Sequence, residues 1–596
     1  CKAINELHFK FMETPASAST YTSALAGDLH NFKAGYVLSG KFLMRIFDPD
    51  TIGKCLEYLR VNNCLIMLES PEFDTSGWLK SKWYGTEYKV ESFSREFVRK
   101  IKGLSFNSQL SLPQENQFIP RKLDILPHGS HSTPLIIKES ERVRFWHLQE
   151  DKFRIPKSFA FFEFKTHRAY QSARDHILMT LYKMMVMDSL NEYSYHAEVA
   201  GLSYTLECTT ESLTLTVGGY SDKLPVLLNN IGKKMSQFSV NKSRFDIIKD
   251  QLRKKTLNWF QIAPYSHAMY FVSFVTQEKL YSAGEKLREL ETISFYELKE
   301  FSSHIFESGF VEGFVHGNTS HSTALEYCEN LISHFQYSPL DDKESLYVRV
   351  HMLEEGSNIV YTKDLFNDQN VNSAIEFCLQ IGSLANSSLR SLLTLITQIS
   401  QEHAFDRLRT KEQLGYMVYT GIRKQAEMIS FRIIVQSEKS PRYLESRIEN
   451  FIEKLEQIIL ELEDEDLESY KSSVILQLQE KSQNLHQEST KLWGCITSQY
   501  YDFDQHHDDI HHINQISKQD LHQFYKDYFS SSSPKRKKLS VHMKSKLAQE
   551  MNEKDNLLKN AIFINDDTLH EFKSKLQLND IARPVADIST WIKCNK

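Results

Sequence analysis

Apolar positions along this chain follow two periods, and the periods recur in the same order twice. Residues 170–200 and 388–413 carry apolar side chains at the three- and four-residue spacing of a helix, and each run stops at a glycine, Gly201 and Gly415. Alternating apolar and polar positions follow each glycine, over 202–207 and 212–217 in the first case and 416–420 and 428–436 in the second. That is the pattern of two strands, each with one covered face. Each pair leads into a proline-opened amphipathic stretch, at Pro225 and Pro441. The two glycines are 214 residues apart, and Ile293-Ser294…Leu298…Phe301 is echoed by Ile516-Ser517…Leu521…Phe524 at an offset of 223. Each echo predicts a short helix before a strand, at 311–315 and 539–543. A repeat of this length predicts an α+β fold of tandem homologous domains, each an antiparallel sheet with helices packed on one face. Both glycines are predicted at the helix C′ position, where a positive φ disfavours any side chain.

Ahead of the first copy, residues 103–134 are broken by Gly103, Pro113, Pro120, Pro127, Gly129 and Pro134 and read as a connector. The segment before it shows only part of a unit, a helix over 48–59 and a strand over 64–69. The chain also opens on Cys1 without an initiator Met, so a fragment or a processed product is expected.

With 596 residues the chain is too long for one core. A net charge of −6 argues against nucleic acid as the main partner, because phosphate binding needs a concentrated basic field. No run of 18 apolar residues occurs, so no membrane span is expected. The eight cysteines form no C-x-x-C pair and are expected as small buried apolar residues in a reducing compartment.

The densest candidate chemistry is the octet Arg409-Thr410-Lys411-Glu412-Gln413-Leu414-Gly415-Tyr416. It brackets a glycine stop with a fixed cation and a phenol, groups able to grip a peptide carbonyl and donate to an oxyanion. Taken alone, Arg409 and Gln413 are also i,i+4 neighbours that could serve a helix surface. None of the 23 His residues begins H-E-x-x-H or H-x-x-E-H.

The octet resembles a known pattern, as do Leu202-Ser203-Tyr204, Gln436-Ser437-Glu438-Lys439, Trp83-Tyr84-Gly85-Thr86-Glu87-Tyr88 and His316-Gly317-Asn318. Together, in order and over essentially the whole chain, they are similar to the insulysin-type members of the pitrilysin, or inverzincin, metalloprotease family. The resemblance implies four homologous α+β domains closing a chamber in two halves. It implies that residues 1–102 end a second domain, that 103–130 link the halves, and that 131–345 and 346–596 are the third and fourth domains. Zinc would be bound by the missing N-terminal domain, with no metal ligand in this chain. Tyr416 would donate to the oxyanion, Arg409 would hold the substrate, and Phe405 would line a side-chain pocket. The implied function is the substrate-binding C-terminal half of a zinc metalloendopeptidase that degrades peptides, inactive alone. The alternative is a non-catalytic relative that is architectural or binds peptides. Implied partners are peptide substrates and the missing N-terminal half, with a homodimer left open; the implied compartment is the cytoplasm, with mitochondria second.

Three other features need weighing. His507-Asp508-Asp509-Ile510-His511 sets two His at i,i+4, but Asp is one methylene shorter than Glu, and a solvated polar turn is expected. His351-Met-Leu-Glu354 falls in a strand-like stretch, where the two ends of a helical zinc motif would not align. The basic run Pro534-Lys-Arg-Lys-Lys538 is expected to be a solvated loop. The stretch 479–485 carries one Lys and one Glu where family members bind polyanions, and 16–19 is uncharged, so polyanion activation is not expected.

Overall fold

The computed structural model describes residues 2–15, 17–105, 107–112, 114–239, 241–340, 347–549 and 560–592. Cys1, Ala16, Cys594 and the boundary expected at 345/346 lie outside the described residues. The chain forms two compact units, residues 1–12 with 18–117 and residues 13–17 with 118–596.

In the first unit the helix predicted at 48–59 forms as Pro49–Glu57, capped by Asp48, whose carboxylate accepts from Thr51 N at 3.0 Å. The strand predicted over 64–69 does not form, because no strand pairs with it among the described residues. A strand without a ladder leaves its backbone groups to water. Leu65, Met67 and Leu68 of that stretch are exposed, and so are Cys55 and Cys64, contrary to the expectation of buried thiols.

The second unit holds the repeat. Its first sheet is built from β1 (Leu135–Glu139), β2 (Val143–Gln149), β3 (Lys157–Lys165), β4 (Ser203–Cys208), β5 (Ser212–Tyr220) and β6 (Phe310–Gly317). Helices α1 (Ala173–Val199), α2 (Leu224–Ser236) and α3 (Pro264–Thr276) lie between these strands in sequence. The second sheet is built from β7 (Asn358–Asp364), β8 (Ser373–Ser383), β9 (Met417–Gln425), β10 (Met428–Ser437), β11 (Lys538–Lys544) and β12 (Ile562–Ile564). Its helices include α4 (Ser387–Ala404), α5 (Pro441–Glu461), α6 (Leu485–Thr497) and α7 (Gln505–Gln515).

The strand orders are β1-β2-β6-β3-β5-β4 and β12-β7-β11-β8-β10-β9. Five strands of one copy therefore match five of the other, position for position. The pairing is mixed and not purely antiparallel as expected: β2 runs parallel to β6, and β7 runs parallel to β11 and β12. Alternation and tight turns specify the hairpins β4–β5 and β9–β10, which are antiparallel. The last inner strand of each copy arrives after a long helical excursion, and only topology sets its direction.

Helices also cover both faces of each sheet, where one covered face was expected. The near face of the first sheet packs against α1 and α2 through Leu181, Tyr182, Met185, Leu227 and Ile231. Its far face, Trp146, Phe161 and Phe314, is covered by Trp493 and Ile496 of α6, by Tyr501 and by Trp591. The near face of the second sheet packs against α4 and α5. Its far face, Tyr361, Cys378 and Val541, is covered by Ala268, Phe271 and Val272 of α3. The copies thus exchange equivalent helices, since α3 and α6 begin 221 residues apart.

Buried acids anchor the exchange. Glu312 on β6 is fully buried and accepts from Trp146 Nε1 at 3.0 Å, Gln499 Nε2 at 2.8 Å and the Tyr501 hydroxyl at 3.0 Å. Glu376 on β8 pairs with Arg423 at 3.0 Å, and Arg423 donates onward to the Met269 carbonyl and Ser273 Oγ of α3. Buried carboxylates need such partners, because desolvating one costs several kcal/mol (of order).

Candidate functional site

The candidate site grows out of the end of α4. Asn386 caps that helix by accepting from Leu389 N at 3.0 Å, and Leu393, Ile396 and Ile399 bury its core face. The helix period predicted over 388–413 does not run to Gly415. At Phe405 the backbone widens into a π-helical stretch, Phe405–Lys411, and Glu412 N donates to the Arg407 carbonyl at 3.0 Å. Single π-turns of this kind often sit at functional sites.

The two predicted glycine stops part company here. Gly201 takes φ +85 as expected. At the second stop the left-handed residue is Gln413, at φ 50. Gly415 serves close approach instead: a Cβ there would lie 1.9 Å from the Gln436 carbonyl oxygen on β10. Gln413 is consequently outside the helix, and the i,i+4 pairing of Arg409 with Gln413 has no helical basis.

The widened turn brings the three candidate residues together. The Arg409 guanidinium lies 4.8 Å from the Phe405 ring centre and 4.7 Å from that of Tyr416. A cation over an exposed ring contributes about 0.5–1 kcal/mol, enough to hold an orientation. Tyr416 is 88% exposed and Phe405 44%, while Arg409 is half-buried. Among the described residues Arg409 has no carboxylate or hydrogen-bond partner, only its two ring contacts, so its five N–H donors are uncommitted.

Neighbouring charges are all spent on the scaffold. Glu412 pairs with Arg407 and receives Arg447 of α5 at 2.7 and 2.8 Å. Burial pushes its carboxyl up, but the hydrogen bonds and charges of Arg447 and Arg407 more than offset this and leave it below its ordinary value. Lys411 pairs with Asp406 at 2.7 Å. This clamp was not legible beforehand. Residues five apart face different sides of an α-turn and meet only in a π-turn, and Arg447 lies 35 residues beyond Glu412.

The other motifs are used for structure. His507 and His511 lie within α7, a helix and not the polar turn expected. Asp509 is buried there against Arg390 at 2.6 Å, and His512 meets Ser387 Oγ at 2.9 Å. Among the described residues no three His, Cys, Asp or Glu side chains gather to hold a metal ion. His351 lies in the short strand His351–Met352 and is buried. The basic run is not a solvated loop throughout. Arg536 and Lys538 turn inward to Glu449 and Glu445 of α5, and His542 meets Glu445 at 2.6 Å. Burial raises the Glu445 carboxyl, yet Lys538 and His542 override it and bring it down to about 2.

Comparison with known proteins adds the family context. Residues 9–289 match the middle or third domain of peptidase M16, and residues 395–493 match the C-terminal lobe domain 4 of PqqF-like PQQ synthase. The chain is 34% identical to the insulin-degrading enzyme of Homo sapiens over 557 residues, covering 92% of this chain and 54% of that protein. The crystal structure of pitrilysin superposes with a TM-score of 0.77 at 17% identity, covering 97% of this chain and 60% of that one. A structure described as a peptidase M16 inactive domain from Pseudomonas fluorescens gives 0.54 at 13% identity, over 73% of this chain and 100% of that one. The chain spans about half the length of the insulin-degrading enzyme it matches.

Proposed function

Because this chain is homologous to the insulin-degrading enzymes of the M16 zinc peptidase family, we propose that it is the substrate-binding C-terminal half of a zinc metalloendopeptidase that degrades peptides in a closed chamber. Zinc, in this reading, is held by an N-terminal half outside this chain and supplies the activated water. What this chain supplies is orientation and hydrogen-bond donation. Arg409 grips a substrate carbonyl, Phe405 packs against a neighbouring substrate side chain, and the Tyr416 hydroxyl donates to the oxygen that gains charge. The carrying observation is the cluster itself. A guanidinium sits between two aromatic rings, and its donors and the phenol are left to solvent by every other described group. A donor fixed before the reaction stabilises developing charge without reorganising.

A second reading has one observation in its favour, the likeness of fold to the M16 inactive domain. A non-catalytic relative would bind peptides or act as scaffold. The two readings separate when this chain is combined with the proposed zinc-bearing N-terminal half and assayed for zinc-dependent peptide cleavage. Turnover that falls on Arg409→Ala, chiefly through a higher KM, supports the peptidase half. A joined protein without zinc-dependent turnover supports the relative.

A further inference from the structure

A cavity of about 290 Å³ opens in the second unit where the end of the first copy meets the run into the second. Thr166, Thr210 and Glu211 line it from the first copy, and Glu278, Lys279 and Arg349 from the stretches after α3 and before β7. Backbone bonds hold both sets. Thr166 N donates to the Glu211 carbonyl at 3.2 Å, at the turn between β4 and β5, and Glu278 N donates to the Arg349 carbonyl at 2.9 Å. The volume falls at the small end of the about 300–1,000 Å³ of small-molecule sites and is too little for a folded partner.

The charges around this cavity do not balance. Glu278 and Arg349 meet in two contacts of 3.3 Å and cancel. Lys165, buried near Glu211, meets Glu163 at 3.4 Å and Glu312 at 3.8 Å. Arg144 is divided between Glu139 at 2.8 Å and Glu312 at 3.8 Å. The carboxylates of Glu139, Glu163, Glu211 and Glu312 thus share two cations. Glu211 goes without: among the described residues it makes no ion pair, and its carboxylate accepts only from Val348 N, at 3.0 Å. Glu163, 7% exposed, leaves Oε2 with no hydrogen bond. Burial, and next the charge of Glu163, push the Glu211 carboxyl up to about 7, against the pull of Lys165 and the Val348 N–H. A half-buried carboxylate in that setting lacks one positive charge.

We propose that this cavity binds a small molecule carrying a primary ammonium group, which pairs with Glu211 and supplies the missing charge. A primary ammonium brings three donors, which suit the Glu211 carboxylate and the Thr210 hydroxyl in the same wall. Lys279 is exposed and has no ion pair among the described residues, so a carboxylate on the ligand finds a partner there and a second ammonium does not. That favours a free amino acid over a diamine. The occupant would tie the β4–β5 turn to the run that enters the second copy and stiffen the seam between the copies. Phe405, Arg409 and Tyr416 take no part, so the site stands whether or not the chain serves a peptidase.

The test titrates the whole chain with glycine, putrescine and tetramethylammonium, followed by calorimetry and by amide exchange read residue by residue. Glycine and putrescine should bind saturably, and tetramethylammonium, which has no N–H, at least about tenfold more weakly. The bound amines should slow exchange over 209–211 and 347–349 and leave 405–416 unchanged. Glu211→Gln keeps an acceptor for Val348 N and removes the charge. It should weaken both amines about tenfold or more, while the melting temperature without ligand holds or rises. The two amines sort the source: tighter glycine that Lys279→Glu weakens identifies an amino acid, tighter putrescine identifies a polyamine, and each bears out the ammonium site. No binding of either amine at millimolar concentration overturns the proposal. So does binding that tetramethylammonium matches, that Glu211→Gln leaves intact, or that protects neither 209–211 nor 347–349. Should Glu211→Gln fail to fold, the exchange map and the tetramethylammonium comparison on the unaltered chain decide.

Discussion

Three side chains that chemistry needs in one place are placed there by two residues that do none of it. Glu412 ties the end of the π-turn to α5 through Arg447, and Gly415 lets the chain pass against Gln436 before β9 begins. Glu412→Gln should therefore leave the fold intact and loosen residues 405–416, seen as faster amide exchange there and several-fold weaker peptide binding. Gly415→Ala should do worse, because a Cβ 1.9 Å from a carbonyl oxygen forces the backbone apart. We expect a loss of about 1–3 kcal/mol in denaturant unfolding. At this scale the sequence was legible in kind and illegible in geometry. Arg409, Phe405 and Tyr416 could be named, but a helix that changes period at Phe405 leaves no mark on hydrophobic spacing.

At the scale of elements, α5 shows how charge hides in a solvated-looking motif. The run 534–538 reads as polar, yet Lys538 and Arg536 cross to Glu445 and Glu449 under the second sheet. Pairing over that distance has no local signature. Glu445 is held down to about 2 in the fold, below an ordinary glutamate near 4.5. Its contribution is thus full above about pH 4.5 and is lost as pH falls toward 2. Glu445→Gln should cost about 1–3 kcal/mol at neutral pH, because Lys538 keeps only its longer pairing with Glu449 at 3.5 Å, and should flatten the acid limb of the stability curve over that window. Urea unfolding at several pH values checks both. The helices and hairpins themselves were legible, because periods of two and of three-to-four are local. The parallel pairings β2·β6 and β7·β11 were not, since each joins strands separated by most of a copy.

For the second unit as a whole, the repeat was visible in the sequence and its use was not. Each copy lends one helix to the far face of the other's sheet, and buried Glu312 and Glu376 fasten the loans. Neither copy can bury its own far face, so residues 118–340 and 347–596 should each expose apolar surface when made alone. Made together as two chains, they should co-purify as one species. Dye binding to exposed apolar surface and size-exclusion chromatography measure this; two independently soluble, dye-silent halves would contradict it.

The claim on which the functional account turns is that the Tyr416 hydroxyl donates to the reacting carbonyl. Its direct measurement is kcat of the proposed zinc-dependent peptidase, this chain combined with the N-terminal half proposed for it, before and after Tyr416→Phe, a change that removes one oxygen and keeps the ring over Arg409. The account predicts a fall of about a hundredfold or more with little change in KM; an unchanged kcat would contradict it.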